Sequence, residues 1–154
     1  MTRADHDALH RPLRPRAARL VCLPLAGLSL VTMVGLAVGL PRLTGATVGL
    51  GDRIGFVSLG VAMAWFLLRE AAVRADPDPT GLTVRNLVRT RRLSWTEIVS
   101  VRFGPDRPWV QLDLADGDTL AVMAVQRADG ERAQAEARRL ATLVAAHSAT
   151  PRDD

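Results

Sequence analysis

Lysine and tyrosine are missing from this chain, cysteine occurs once and histidine three times. All 20 residues in the Lys+Arg total are therefore arginine. With abundant Ala, Val and Gly, this bias points to a GC-rich bacterial genome, which is a statement about codon usage and not about mechanism. A lone cysteine, Cys22, excludes an intramolecular disulfide and says nothing about an oxidising compartment. The scarcity of histidine weakens any catalytic reading. His6 and His10 have the helical spacing of a metal pair but lie in a polar, proline-broken tail, and His147 closes the last helix. No serine has a plausible His or Asp base, and neither a P-loop nor a Rossmann fingerprint is present. Asp113, Asp116 and Asp118 surround a turn and read as a solvated hairpin before they read as a metal site. The chain is expected to be non-enzymatic, with no cofactor and no metal.

What the sequence does have is grease. Residues 20–40, LVCLPLAGLSLVTMVGLAVGL, contain no charge. At ~1.5 Å per helical residue the run reaches about 31 Å, matching the ~30 Å hydrocarbon core of a bilayer. Its Leu and Val residues each contribute roughly −0.3 to −0.6 kcal/mol to insertion, more than Gly27, Gly35, Gly39 and Pro24 subtract. The run is too long for the apolar core of a cleaved signal peptide, and Leu-Pro-Arg follows it instead of a small-x-small site. It is read as an uncleaved span. A second span, residues 48–68, carries Asp52 and Arg53 into its first turns, where interfacial depth makes charge tolerable. Asp52 suits a helix cap there, and Trp65 and Phe66 suit the opposite interface.

Arginine sets the orientation. Five precede the first span and six lie in residues 69–92, whereas the loop holds only Arg42 and Arg53. The positive-inside rule then predicts a cell-membrane hairpin with both termini cytoplasmic. Gly35-x3-Gly39 and Gly51-x3-Gly55 allow close helix approach; packing of the two spans on each other is the first reading, homodimerisation the second.

Residues 1–19 are expected to be a disordered tail and 20–74 the membrane hairpin. Helix two is expected to continue through Arg74 until Asp76-Pro77-Asp78-Pro79 stops it, because proline cannot donate the helical bond. A cytosolic domain would occupy residues 78–147, followed by a tail at 148–154. Within it five strand-like runs follow, at 81–88, 91–95, 98–103, 109–114 and 119–125. Asp116-Gly117 is a hairpin signal, since glycine accepts the positive φ of such turns. The period then becomes helical: Asp129 can cap, Glu131 suits a first turn, and Ala133, Ala137, Leu140, Ala141 and Val144 share one face.

This layout resembles the small bacterial pleckstrin-homology-like (PH-like) domain proteins of actinobacteria, including the group named after a low-molecular-weight protein antigen. The residues that carry the likeness are Gly81-Leu82-Thr83-Val84-Arg85-Asn86, Ser94-Trp95-Thr96-Glu97-Ile98 with Val99-Ser100-Val101-Arg102-Phe103, and the helix over 131–147. The resemblance implies an α+β domain: a bent antiparallel sheet of about five strands, a partial barrel plugged by one C-terminal helix. It also implies a class that binds or scaffolds, and it carries over no catalytic residue.

The candidate surface is Arg85, Arg89, Arg91 and Arg92, close behind the membrane exit, with Trp109 as a possible contact. A guanidinium fork matches phosphate, and each base near an anionic leaflet contributes ~1 kcal/mol. Topology setting plus solvated strand ends is the plainer account. Trp95 is expected in the core or at a sheet edge. The leading reading is a two-span membrane protein presenting a binding or scaffolding module to a protein partner or to anionic lipid head groups. The alternative is an assembly or transport accessory whose helices oligomerise. DNA binding is disfavoured, because no recognition-helix pattern is present.

Overall fold

A computed structural model of the chain describes residues 10–45 and 47–148. They form two compact units: residues up to Ala17 together with Val73 onward, and Ala18–Ala72. His6 and the tail beyond residue 148 lie outside the described residues.

The second unit is a helical hairpin of α1, Arg16–Thr44, and α2, Leu50–Ala71. Both are long and apolar enough to cross a membrane. Helix α2 stops at Ala71, short of the expected Arg74. At its start the Asp52 carboxylate accepts the Gly49 amide at 3.0 Å, which is the expected cap. The two helices meet through small residues, with Ala26, Ser29, Gly60 and Ala64 all buried. A Cβ on Gly60 would lie 2.8 Å from the Met33 Cβ. Gly35, Gly39, Gly51 and Gly55 do not make this contact, since a Cβ on any of them would meet nothing within 4 Å. The spacing was legible, but which small residues meet depends on how the helices are rotated, and the near-uniform hydropathy of the two helices hides that.

The first unit carries six strands, not five: β1 Arg74–Asp78, β2 Gly81–Arg85, β3 Thr90–Ser94, β4 Ile98–Arg102, β5 Trp109–Leu114 and β6 Thr119–Gln126. They form two antiparallel sheets, ordered β1-β2-β3 and β4-β5-β6. Helix α3, Glu131–Ser148, follows. The added strand is β1, on the Asp-Pro-Asp-Pro stretch expected to end a helix. Proline is tolerated there because of where its missing N–H would point. Ala75 exchanges both backbone bonds with Leu13, at 2.8 and 3.0 Å, on the side away from β2. Pro77, two residues on, directs its nitrogen to that same side, so no β1–β2 bond is lost. Asp78 then closes the turn, accepting from the Thr80 and Gly81 amides at 2.7 and 3.0 Å. Gly81 is obligatory, because any Cβ there would overlap the Leu93 carbonyl.

Leu13 corrects a second expectation. The segment before α1 is not a free tail: Leu13 is 0% exposed and bridges Ala75. Arg139 donates to the Arg11 carbonyl at 2.9 Å. Asp129 accepts the Arg16 and Ala17 amides at 3.1 and 2.7 Å, so it caps the opening turn of α1 and not α3. The core gathers Leu13, Leu82, Leu93, Ile98, Leu112 and Val122 beneath Leu140 and Leu143 of α3. Ala133, Ala137, Leu140 and Val144 face inward as expected, but Ala141 is exposed. Trp95 is buried, and its indole N–H donates to the Asp78 carbonyl at 3.0 Å. Asp116-Gly117 makes the β5–β6 turn, with Gly117 at φ +85°.

Candidate functional site

Strand alternation divides the arginine cluster. Leu82 and Val84 point into the core, so Thr83 and Arg85 face outward, and register places Thr83 beside Arg92 and Arg85 beside Thr90. Arg92 therefore lies on the outer face, where it pairs with Asp78 at 3.1 Å and donates to the Thr80 hydroxyl at 2.8 Å. Arg91 lies on the opposite face and reaches the β5–β6 turn, 3.2 Å from Asp116 and 3.9 Å from Asp118. These two guanidinium groups are taken up inside the domain. Arg85 and Arg89 make no ion pair with any described residue.

The carboxylates that hold this frame are stabilised in their charged form. The Thr80 hydroxyl and amide hold the Asp78 carboxyl below its ordinary value, and Arg92 adds to the effect. The Asp118 amide does the same for Asp116, helped by Arg91. Glu97 is lowered by the Ser94 amide and hydroxyl, at 2.6 and 2.7 Å. All three belong to turns, so they fix where the hairpins project.

The β2–β3 hairpin carries an exposed tip. The Asn86 amide donates to the Arg89 carbonyl at 2.9 Å and closes the loop. The Asn86 side chain crosses to β6, donating to the Ala121 carbonyl at 2.7 Å and accepting the Met123 amide at 3.1 Å. One carboxamide thus clamps the root of the hairpin to the other sheet. At the tip Val88 is 79% exposed, flanked by Arg85 and Arg89. Behind it a hollow of about 360 Å³ is lined by Arg89, Thr90, Arg91, Asp118 and Thr119, over Val84 and Leu120. Arg89 and two threonine hydroxyls thus stand over an apolar floor, with Arg91 at the rim already committed to the Asp116 and Asp118 carboxylates.

Trp109 opens β5 and pairs with Gln126 of β6; neither lines the hollow behind the hairpin. The histidines are placed in a way the sequence did not suggest. His147 stacks on Trp95 with ring centroids 4.8 Å apart, and His10 meets His147 edge-on at 6.2 Å. Among the described residues no group of three or more His, Cys, Asp or Glu is arranged to hold a metal. The sequence reading also missed Asn86 and Val88; an apolar Leu-Val pair between arginines at a strand turn was the available signal.

Residues 71–142 match the family model described as bacterial PH domain. That stretch includes all six strands and most of α3. The chain is also 35% identical over 94 residues to uncharacterized proteins from two strains of Mycobacterium tuberculosis and one of Mycobacterium bovis. The aligned stretch covers 61% of this chain and 61% of each relative, so the chain spans under two thirds of their length. No solved structure matches it.

Proposed function

We propose that this chain is a two-span integral protein of the cell membrane whose PH-like domain, on the cytoplasmic side, is a binding module and not a catalyst. In this reading the domain docks the tip of its β2–β3 hairpin on the anionic inner leaflet. The observation that carries the docking is Val88, 79% exposed between two arginines that make no ion pair with a described residue. Two guanidinium groups near an anionic leaflet contribute ~2 kcal/mol, and burying one Val side chain adds roughly 1.5 kcal/mol. That sum corresponds to a few hundredfold in occupancy, enough for a domain already tethered to the surface.

Two observations support the membrane assignment. Large apolar side chains cover the outside of both helices, with Leu20 80%, Val31 71% and Trp65 62% exposed. The core helix of a water-soluble protein would bury them. Leu13, Arg16 and Ala17 bond with the domain, so cleavage after α1 would remove part of the domain's own structure.

The test uses the full chain with Cys22→Ala and Val88→Cys, labelled with an environment-sensitive fluorophore and reconstituted in nanodiscs. Emission should shift to the blue in phosphatidylglycerol-containing discs relative to phosphatidylcholine discs. The shift should fall with salt and vanish in Arg85→Ala/Arg89→Ala. Identical emission in both lipids would remove leaflet docking. A second reading, oligomerising helices with a regulatory domain, is favoured by the open faces of Gly35, Gly39, Gly51 and Gly55. A defined oligomer in detergent that Gly35→Ile breaks would move that reading ahead.

A further inference from the structure

A second surface of the domain has a different chemistry. Strand β4 comes first in the order β4-β5-β6, so one of its edges has no strand partner. Between that edge and α3 runs a groove of about 510 Å³. Val101, Phe103, Ala137 and Ala141 line it, and Arg127 and Arg138 border it. Ala141 is the residue of the inward-facing helical pattern that the core leaves uncovered. The Arg127 guanidinium donates to the Pro105 carbonyl, which fixes it beside the β4–β5 turn, and Arg138 comes from α3. Neither makes an ion pair with a described residue, whereas Arg102, Arg132 and Arg139 each pair with a carboxylate.

We propose that this groove binds an extended acidic segment of a partner protein, added to β4 as a further strand. Three features favour that occupant. A free strand edge offers a row of backbone donors and acceptors that an extended chain satisfies. The apolar lining takes alternate side chains of such a strand, because successive residues point to opposite sides. Two guanidinium groups at the border, with no carboxylate partner among the described residues, select carboxylates on the flanks, where Arg forks bind bidentately. A small ligand fits less well, since its sites enclose most of its surface and this groove is partly open to solvent.

The experiment pans random phage-displayed 12-mers against the full chain in nanodiscs, with empty discs for counter-selection. Enriched peptides are expected to carry Asp or Glu on both sides of alternating apolar residues. A synthetic, fluorescein-labelled peptide of that family should lose at least tenfold in affinity with Arg127→Glu, with Arg138→Glu and with Ala141→Trp. The last variant fills the groove from an exposed position without touching the charges. N-methylation of alternate peptide amides should cost as much, and Arg89→Glu on the β2–β3 hairpin should change affinity less than twofold. The proposal fails if no family enriches or if enriched peptides lack acids. It also fails if the groove variants or the N-methylated peptide bind as tightly as the parents, or if phosphatidylglycerol vesicles displace the peptide.

Discussion

Leu13→Ala is the sharpest test of how this domain is built. Leu13 is fully buried among Val73, Ala75, Leu82 and the other core residues, although more than fifty residues of helical hairpin separate it from them in the chain. Truncating a buried Leu to Ala removes the transfer energy of three carbons and leaves a cavity, for a total of about 2–5 kcal/mol. The two backbone bonds to Ala75 survive the substitution, so the loss reports packing alone. Against a domain stability of ~5–15 kcal/mol the cost is a large fraction. For a domain of this size each kcal/mol moves the midpoint by about 4–8 °C, so a shift of at least ~8 °C is expected. The assay is hydrogen exchange and thermal unfolding of the full chain in nanodiscs, reading amides in β1 and β2. A companion chain lacking residues 1–15 should lose protection in β1 as well. If Leu13→Ala moves the midpoint by less than 2 °C, or the truncated chain protects β1 as well as the parent, the segment before the hairpin is not part of the core and the reasoning fails.

Two further outcomes follow from the structure. Gly60→Val should force α1 and α2 apart, because even a Cβ at Gly60 approaches the Met33 Cβ to 2.8 Å. The expected cost is ~1–3 kcal/mol, seen as a lowered unfolding midpoint in detergent, while Gly35→Val on the open face should leave the midpoint unchanged. Acid should loosen the hairpin frame. Asp78, Glu97 and Asp116 all have carboxyl values lowered in the folded chain, from ordinary values of 3.8 for Asp and 4.5 for Glu. A lowered folded value means the unfolded chain takes up protons first. The stabilisation is therefore complete above those ordinary values and lost as pH falls through the folded ones. Unfolding midpoints measured from pH 6 to pH 2 should fall below about pH 4.5, less steeply in Asp78→Asn; a flat profile would contradict the turn bonding.

Much of this was legible because it rested on periodicity. Val110, Leu112 and Leu114 alternate cleanly, and β5 has the bounds that alternation predicts. The Asp116-Gly117 turn was visible from glycine's tolerance of positive φ. Strand β1 was hidden because two prolines in the four residues 76–79 normally mark a stop, and only the exchange of bonds between Ala75 and Leu13 shows why Pro77 is harmless. Leu13 was hidden because one apolar residue among Pro12, Arg14 and Pro15 makes no pattern; its burial is a long-range fact. The arginine cluster was found by charge alone. Which members are committed to Asp78, Asp116 and Asp118 needed the register, since a one-residue step along β3 reverses the face.

Leu13 also constrains biogenesis. Ribosomes deliver it before either apolar helix exists and deliver Ala75 only after both, so the core cannot close until the intervening hairpin has been dealt with. If both helices enter the bilayer, the two halves of the core meet on one side. A chain that inserted only its first helix would strand them in separate compartments, with β1 missing its Leu13 neighbour. On the two-span reading proposed above, completion of the domain would report that both helices had crossed.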